Sequence, residues 1–347
     1  MKKIVLVLGI ATLLFASCGS SPSSTKTSKE PDLTGVTSYY VRADGDDSNA
    51  GMSEDKPFKT LAKAVTTAAK TKVKTITVIG KLDTGEIVIK DSGTDEILIT
   101  GKPDASDSEK AVLTVADLSD KGVNTIQITG NSNIKLEYLT VNTGSYLANI
   151  YADDDKVKLT LGKNAVISGN GKDAKSLANG GGGILMLKGT LIMMDNSTVT
   201  NCMAQFGGAI VVGNDGKMIM QDNAVISNNY AIQSGGGIFL RGGTLELHNN
   251  AIIKGNTAMD NGLYGGGGIY SEGGGAIKLF DNSSLTGNTA PEGGGIYMRQ
   301  SSMQTADGVK IESSGVYESR QVSGNKATTK EPFFKGKMAH NICVMNY

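Results

Sequence analysis

The sequence predicts an all-β solenoid: a parallel β-helix of about ten coils, with three short strands in each coil and successive coils ~4.8 Å apart. Three observations predict this fold. A seven-residue phrase built on two asparagines recurs along the second half of the chain, an alternating apolar pair precedes each copy, and a glycine run closed by isoleucine precedes each pair. Strand-length segments that cannot bury their apolar residues alone must stack on their neighbours.

The recurring phrase places an aliphatic residue three positions after its first Asn and a second Asn six positions after it. The copies span residues 164–170, 196–202, 223–229, 250–256, 282–288 and 319–325. Two of them depart from the phrase: Cys202 stands in the second-Asn place, and Ser319 replaces the first Asn of the last copy. Their aliphatic residues predict one inward ladder: Ile167, Val199, Ile226, Ile253, Leu285 and Val322. Because asparagine tolerates left-handed turns and its amide can hydrogen-bond along a stack, we predict two Asn columns running along the axis.

The other two features supply the remaining strands. Apolar pairs such as Leu245 and Leu247 are separated by two residues, which places both side chains on one face of a strand. The glycine runs end at Ile184, Ile210, Ile238, Ile269 and Ile296. Glycine there permits positive φ and a close approach between backbones. Each repeat is therefore interpreted as three short strands separated by Gly and Asn turns.

The first 17 residues have the features of a targeting segment. Two lysines precede an apolar run that ends at Phe15 and is too short to span a bilayer. The sequence Phe15-Ala-Ser-Cys18-Gly19 resembles a bacterial lipobox, although Phe15 stands where that motif favours Leu. The resemblance implies cleavage before Cys18 and diacylation of its sulfur, which would make a membrane the partner of the N-terminus. An ordinary secretory signal with an incidental cysteine is the alternative.

Residues 18–37 are predicted to be a flexible Ser/Thr-rich tether, because they hold too few apolar residues to form a core. Gly19, rather than Asp, follows the cysteine, and in this the sequence resembles lipoproteins that are transported to the outer membrane. We therefore expect an outer-membrane or cell-surface location. The other cysteines, Cys202 and Cys343, are predicted to lie several coils apart as small buried residues.

Residues 38–73 are predicted to cap the solenoid. A strand at 39–42 is followed by a Gly/Asp turn at 44–51 and by a helix from Lys56 to about Lys70. This order resembles the N-terminal cap of pectin-lyase-like right-handed β-helices. The resemblance implies a right-handed β-helix over residues 74–347, with its repeat core at 159–327. Its less regular early strands are predicted at 75–79, 86–89, 97–99, 111–115 and 133–141.

The repeats also resemble those of chlamydial polymorphic outer-membrane proteins. Residues 207–210 read GGAI, the motif of that family, and the other copies read GGGI. The family pairs GGAI with FxxN, whereas an aliphatic residue replaces Phe here, as in Ile167-Ser-Gly-Asn170. The resemblance covers residues 164–327 and implies a surface-exposed β-helix with a role in adhesion.

Few residues suggest catalysis. Asp195 and Asp222 occupy one column on adjacent coils, roughly 5 Å apart by strand spacing, which approaches the spacing of a retaining glycosidase pair. A carbohydrate-active enzyme, a polysaccharide lyase or glycoside hydrolase, is therefore the alternative function. Turn chemistry explains the same column more simply. Asp44 and Asp46 are spaced as in a Ca²⁺ loop, but Asn49 stands where an EF-hand needs Gly, so we expect neither metal nor other cofactor.

The leading function is non-enzymatic binding or adhesion. The residue after each glycine-run Ile should point outward, which aligns Phe239, Tyr270 and Tyr297. Arg241, Glu272 and Arg299 form a second outward column, and two long loops, 171–180 and 257–265, are predicted to wall a groove beside them. This face suits a host glycan or matrix protein. The alternative is structural: the stacked aromatics only extend a stable ladder, and the protein serves as a spacer. Nucleic acid is not expected, because 34 basic residues balance 34 acidic ones.

Overall fold

The computed structural model of the protein describes residues 32–83, 86–115, 124–143, 148–169, 178–259, 265–304, 315–317, 319–328 and 340–345. The predicted targeting segment and most of the tether, including Cys18, lie outside these residues. The described chain is a parallel β-solenoid of about seven turns with three sheets. The predicted fold class is confirmed. The predicted ten coils exceed the observed number, mainly because the early coils lack strands of the third sheet: the second sheet has nine described strands and the third has six.

The largest sheet consists of two adjoining columns of strands, and two long strands, Ile184–Met193 and Ile210–Met220, run through both. The column built on the apolar pairs also contains Tyr39–Arg42, Thr75–Ile79, Gly93–Thr100, Ser132–Glu137, Lys158–Leu161, Thr244–Leu247, Ala276–Leu279 and Ser302–Gln304. The column built on the glycine-run isoleucines also contains Ile87–Lys90, Ile126–Thr129, Ile150–Ala152, Ile238–Arg241, Ile269–Glu272, Ile296–Arg299 and Ile342–Met345. Gly315–Tyr317 pairs antiparallel with the last of these strands.

The second sheet carries the aliphatic residue of the Asn phrase. Its strands are Lys81–Asp83, Ala111–Val115, Leu139–Thr143, Val166–Ser168, Thr198–Thr200, Val225–Ser227, Ile252–Lys254, Ser284–Thr286 and Val322–Ser323. The third sheet follows the second Asn of each copy. Its strands are Ala178–Gly180, Met203–Phe206, Tyr230–Ser234, Thr257–Ala258, Thr289–Ala290 and Lys326–Ala327.

The strand assignment therefore differs from the prediction in one respect. The glycine-run strand and the apolar-pair strand of a coil lie in the same sheet, and the third sheet is formed by strands that the sequence did not reveal. Some of these strands, such as Thr257–Ala258, are only two residues long. So short a strand cannot show the apolar alternation by which strands are recognised.

One helix, Leu61–Ala69, packs at the N-terminal end and buries Leu61, Ala64, Val65 and Ala68. It starts later than predicted, because Thr60 is its N-cap and accepts a hydrogen bond from the Lys63 backbone N–H. Residues 56–59 form instead the turn that brings Phe58 beside Val41. Within the described residues, this nine-residue helix falls short of the length and hydropathy needed to cross a membrane.

The inward aliphatic ladder is present as predicted. Ile167, Val199, Ile226, Ile253, Leu285 and Val322 lie in register on successive strands of the second sheet, and all are 0% exposed. The ladder continues toward the N-terminus through Val141, Leu113 and Leu82, which are equally buried. Each member covers the next, so no coil could bury its own apolar residue without its neighbours.

The second-Asn column forms a buried hydrogen-bonded ladder. The Asn256 Oδ1 accepts from both the backbone N–H and the Nδ2 of Asn229, at 3.0 and 2.9 Å. The Nδ2 of Asn256 in turn donates to the Ile226 carbonyl at 3.1 Å and to the Asn288 Oδ1 at 3.0 Å. Asn288 and Asn325 repeat this pattern in the next coils. The prediction of stacked amides is confirmed for this column.

The first-Asn column is different, because its side chains are exposed. In most copies the residue that adopts the left-handed conformation is the one directly before the first Asn. Its φ is 55° at Asp195, 56° at Asp222, 53° at Asn249 and 54° at Asp281. Each of these residues, from Asp222 onward, accepts a hydrogen bond from the backbone N–H of its counterpart one coil earlier. The continuous ladder at this turn therefore runs through the residue before the Asn.

Cys202 and Cys343 are both free and fully buried, as predicted. Cys202 occupies the Asn column, where its backbone N–H still donates to the Asn229 Oδ1 at 3.0 Å. Burial raises the pKa of the Cys202 thiol and of the Cys343 thiol to about 12 in each case. Both therefore act as small apolar residues rather than as reactive thiolates.

We predict that Ile253→Asp unfolds the coils around it, because an unpaired carboxylate would enter an apolar ladder with no exposure to water. Lys254→Asp is the matched control, since Lys254 is the next residue of the same strand and is exposed. Thermal denaturation followed by circular dichroism should show a large loss for the first variant and little change for the second. Equal melting curves would contradict the inward assignment.

We predict that Asn256→Ala destabilises the protein far more than Asn250→Ala. The first change leaves the buried backbone N–H of Asn229 without its Asn256 acceptor and the Ile226 carbonyl without the Asn256 donor. Each buried group that loses its partner costs about 1–3 kcal/mol. Asn250 is an exposed turn residue, so its loss should cost a fraction of that. Urea denaturation of both variants measures the difference.

Candidate functional site

The residue after each glycine-run isoleucine lies on the outer face of the largest sheet, in one register column. The column reads Val88, Gln127, Tyr151, Leu185, Val211, Phe239, Tyr270, Tyr297 and Cys343. The outward direction and the stacking predicted for Phe239, Tyr270 and Tyr297 are therefore observed. Within this column, Val211, Phe239, Tyr270, Tyr297 and Cys343 form an apolar cluster of their own, against which Leu185 packs.

The three aromatic rings are less accessible than we predicted. Phe239 is 8% exposed, Tyr270 1% and Tyr297 2%. The rings of Phe239 and Tyr270 stack at 5.1 Å between centroids, and those of Tyr270 and Tyr297 stack at 5.5 Å with only 6° between their planes. Phe206, from the third sheet, meets Phe239 edge-on at 5.2 Å. The rings cover one another's faces, so they form the base of the outer surface and not an open row of platforms.

A groove of about 470 Å³ opens beside this stack. Its apolar lining includes the half-buried Leu185, Leu187 and Phe206, together with Val211 and Phe239. The groove lies where the outer column changes from aromatic to aliphatic residues, because Val211 and Leu185 fill less volume than Phe239 and Tyr270. Gly180 and Gly213 add no side chains at its walls. This volume lies within the ~300–1,000 Å³ typical of ligand sites.

The charged column predicted beside the rings lines the same groove. Arg241 and Glu272 are register neighbours, and Arg299 lies one coil further along. The Tyr270 hydroxyl donates to the Glu272 Oε2 at 3.2 Å and is also hydrogen-bonded with Arg299. Burial raises the pKa of the Tyr270 hydroxyl well above its ordinary value, so it remains a neutral donor. Arg241 is exposed at the rim.

The structure thus brings together most of the residues proposed for binding. Phe239, Tyr270, Arg241, Glu272 and Arg299 all line the groove, whereas Tyr297 lies one coil further along the stack and is not among the lining residues. Of the two long loops predicted to wall a groove, residues 171–177 and 260–264 lie outside the described residues. Gly180, at the end of the first loop, does line the groove.

Sequence reasoning missed the wall contributed by the third sheet. Phe206, Gln233 and Ser234 come from its strands Met203–Phe206 and Tyr230–Ser234. The exposed Gln233 amide donates to the half-buried Gln205 side chain at 3.3 Å, so one amide lies at this wall. A sequence signal existed at Phe206, since a large aromatic residue directly before a glycine run must lie beside the outer column that follows.

The remaining candidates have structural partners. The Asp222 carboxylate accepts from the Asp195 backbone N–H at 3.2 Å, as part of the turn ladder. Asp44 is ion-paired with Arg42, and the Asp46 carboxylate accepts from the Ser48 backbone N–H at 2.8 Å. These bonds favour the interpretation of both sets as turn residues. Among the described residues, no group of three or more His, Cys, Asp and Glu residues is arranged to hold a metal ion.

A comparison with protein families agrees with this architecture. A family model described as a right handed beta helix region matches residues 124–313, which is more than half of the 347-residue chain. The match includes the strands that form the outer column from Gln127 to Tyr297. Comparison with curated proteins and with solved structures gave no match.

Proposed function

We propose that this chain, which belongs to the right-handed β-helix family, is a lipid-anchored bacterial surface protein that binds a macromolecular ligand without catalysing a reaction. The observation that carries the proposal is the groove over the outer column, which joins an apolar floor to a rim of charged and amide side chains. A rigid β-solenoid holds such a surface in fixed register, which reduces the entropy lost on binding.

The chemistry of the groove favours binding over catalysis. Glycoside hydrolysis commonly uses two carboxyl groups about 5–10 Å apart across the scissile bond. Among the described lining residues, Glu272 supplies the single carboxylate, and it already accepts from the Tyr270 hydroxyl. Asp195 and Asp222, the other candidates, lie at the turn before the second sheet and are not among the groove-lining residues.

The proposed anchor is the lipid on Cys18. Its support is the sequence around Cys18, an apolar run closed by small residues and a cysteine, followed by a Ser/Thr-rich tether. One acyl chain binds a membrane only marginally, so the stable anchoring proposed here depends on the several chains of a bacterial lipoprotein. The tether would hold the solenoid away from the bilayer and leave the groove accessible.

We predict that Cys18→Ser moves the protein from the detergent phase to the aqueous phase in Triton X-114 partitioning and abolishes incorporation of labelled palmitate. Cys202→Ser is the control, since its Sγ already donates to the Thr200 carbonyl and a serine can keep that bond. If the Cys18 variant remained in the detergent phase after removal of its signal, lipidation at this residue would be refuted.

We predict that Leu185→Thr combined with Leu187→Thr weakens ligand binding at least tenfold, equivalent to ~1.4 kcal/mol, because the exposed apolar floor is lost. Threonine keeps a strand-forming side chain, so the fold should persist. Val88→Thr is the matched control, because Val88 lies in the same outer column, is 49% exposed and is several coils away.

The measurement is a glycan array and a panel of matrix proteins probed with the full chain and with both variants. Polysaccharide lyase and hydrolase assays run alongside. Binding that responds to the double variant and not to Val88→Thr supports the groove as the site. Turnover of a polysaccharide would instead favour the enzyme alternative and overturn the non-catalytic part of the proposal.

A further inference from the structure

The aromatic stack offers little to a sugar. Sugar rings usually bind aromatic side chains by placing their C–H groups on an open ring face, where the π electrons are exposed. Here the ring of Tyr270 is stacked on both sides, by Phe239 at 5.1 Å and by Tyr297 at 5.5 Å. With 1% and 2% of Tyr270 and Tyr297 exposed, neither ring has a free face.

The apolar surface that does remain open is mainly aliphatic. Leu185 and Leu187 are half-buried at the floor, and Phe206 is half-buried at the wall. Val211 packs below them and is 8% exposed. A concave site of this kind suits a large apolar side chain that is removed from water when it enters, as the central anchors of protein interfaces are.

The positive charge of Arg241 at the rim favours an acidic partner. The Glu272 carboxylate is bonded by the Tyr270 hydroxyl, which is itself bonded with Arg299, so these three groups already satisfy one another in part. Arg241 is exposed, and within the described residues it makes no ion pair. Arg241 follows Phe239 by two residues on one face of the strand, so its Cα lies roughly 7 Å from that of Phe239, at one end of the apolar lining.

The opposite wall can bind a peptide backbone. The Gln233 side chain is exposed at this wall and the half-buried Gln205 lies beside it, and each amide retains donor or acceptor capacity beyond their mutual bond of 3.3 Å. An extended peptide exposes N–H and C=O groups that need such partners when it is taken out of water. The groove therefore combines an apolar pocket, a cation and the Gln233 amide within the span of a few residues.

Resting on the proposed function of the groove as a binding site, we infer that its ligand is a protein segment and not a glycan. The segment places a leucine, isoleucine, methionine or phenylalanine side chain over Leu185, Leu187 and Phe206. It places an aspartate or glutamate, within about three residues, against the Arg241 guanidinium. Arginine favours carboxylate partners because its planar fork can donate two parallel hydrogen bonds to them.

The test is selection from a phage-displayed random dodecapeptide library on the full chain, followed by affinity measurement on the selected synthetic peptide. We expect the selected peptides to share a large apolar residue close to an acidic one. Arg241→Glu should weaken the selected peptide at least tenfold, and replacing the acidic residue of that peptide by lysine should restore binding to the Arg241→Glu variant. Lys254→Glu makes the same kind of charge reversal on an exposed strand of the second sheet and should have no effect.

The outcomes separate the two proposals. Peptides without an acidic preference, or an Arg241→Glu variant that binds them unchanged, would overturn the inference. So would a glycan that binds the full chain and is lost in the Leu185→Thr/Leu187→Thr variant, although that result would support the groove as a binding site. If neither peptides nor glycans respond to that double variant, the proposed function itself fails. Unchanged circular dichroism melting of each variant establishes that the fold persists.

Discussion

The buried asparagine ladder is the interaction on which the regular part of the solenoid depends. At each coil the chain turns from the second sheet into the third and leaves a backbone N–H inside the protein. The Oδ1 of the next coil's asparagine accepts from that N–H, as Asn256 does for Asn229 and Asn288 does for Asn256. These bonds run between coils, so each coil fixes the position of the one before it. Buried amides bonded in this way are far more stable than the same groups left unpaired.

The third position of the repeated glycine runs lies between this ladder and the backbone of the next coil. A Cβ at Gly237 would lie 2.6 Å from the Gly268 carbonyl oxygen and 3.3 Å from the Asn256 amide. A Cβ at Gly295 would lie 2.7 Å from the Asn341 carbonyl oxygen and 2.8 Å from the Asn325 Nδ2. Glycine there leaves room both for the backbone of the next coil and for its asparagine, and Ala209, at the same position, shows that one coil accommodates a methyl group. At the C-terminal end, Asn341 occupies the register position equivalent to Gly295. Its Oδ1 accepts two hydrogen bonds from Asn325, one from the backbone N–H at 3.3 Å and one from Nδ2 at 3.2 Å. Asn325, the last asparagine of the ladder, therefore has a hydrogen-bond acceptor without a further copy of the phrase.

Spacing alone was sufficient to predict the parts of the fold that repeat. The aliphatic ladder from Ile167 to Val322 follows from one offset within the phrase, because a fixed offset on stacked coils must give a column. The two-residue strand Thr257–Ala258 could not be predicted in this way. The burial of Tyr270 could not be predicted either, because strand alternation gives the direction of a side chain but does not show which neighbouring side chains cover it. Residues on neighbouring coils, Phe239 and Tyr297, cover its ring.

The groove arises because the outer column is free to vary while the inner columns are not. Ile253 and Asn256 are packed on every side, so substitution there disturbs several coils. In the outer column, side chains as different as Val88, Gln127 and Leu185 occupy equivalent register positions with the same backbone pairing. A smaller residue there removes volume from the surface without altering a ladder hydrogen bond. The change from Phe239 to Val211 and Leu185 along the column is therefore sufficient to open a site on an otherwise regular sheet.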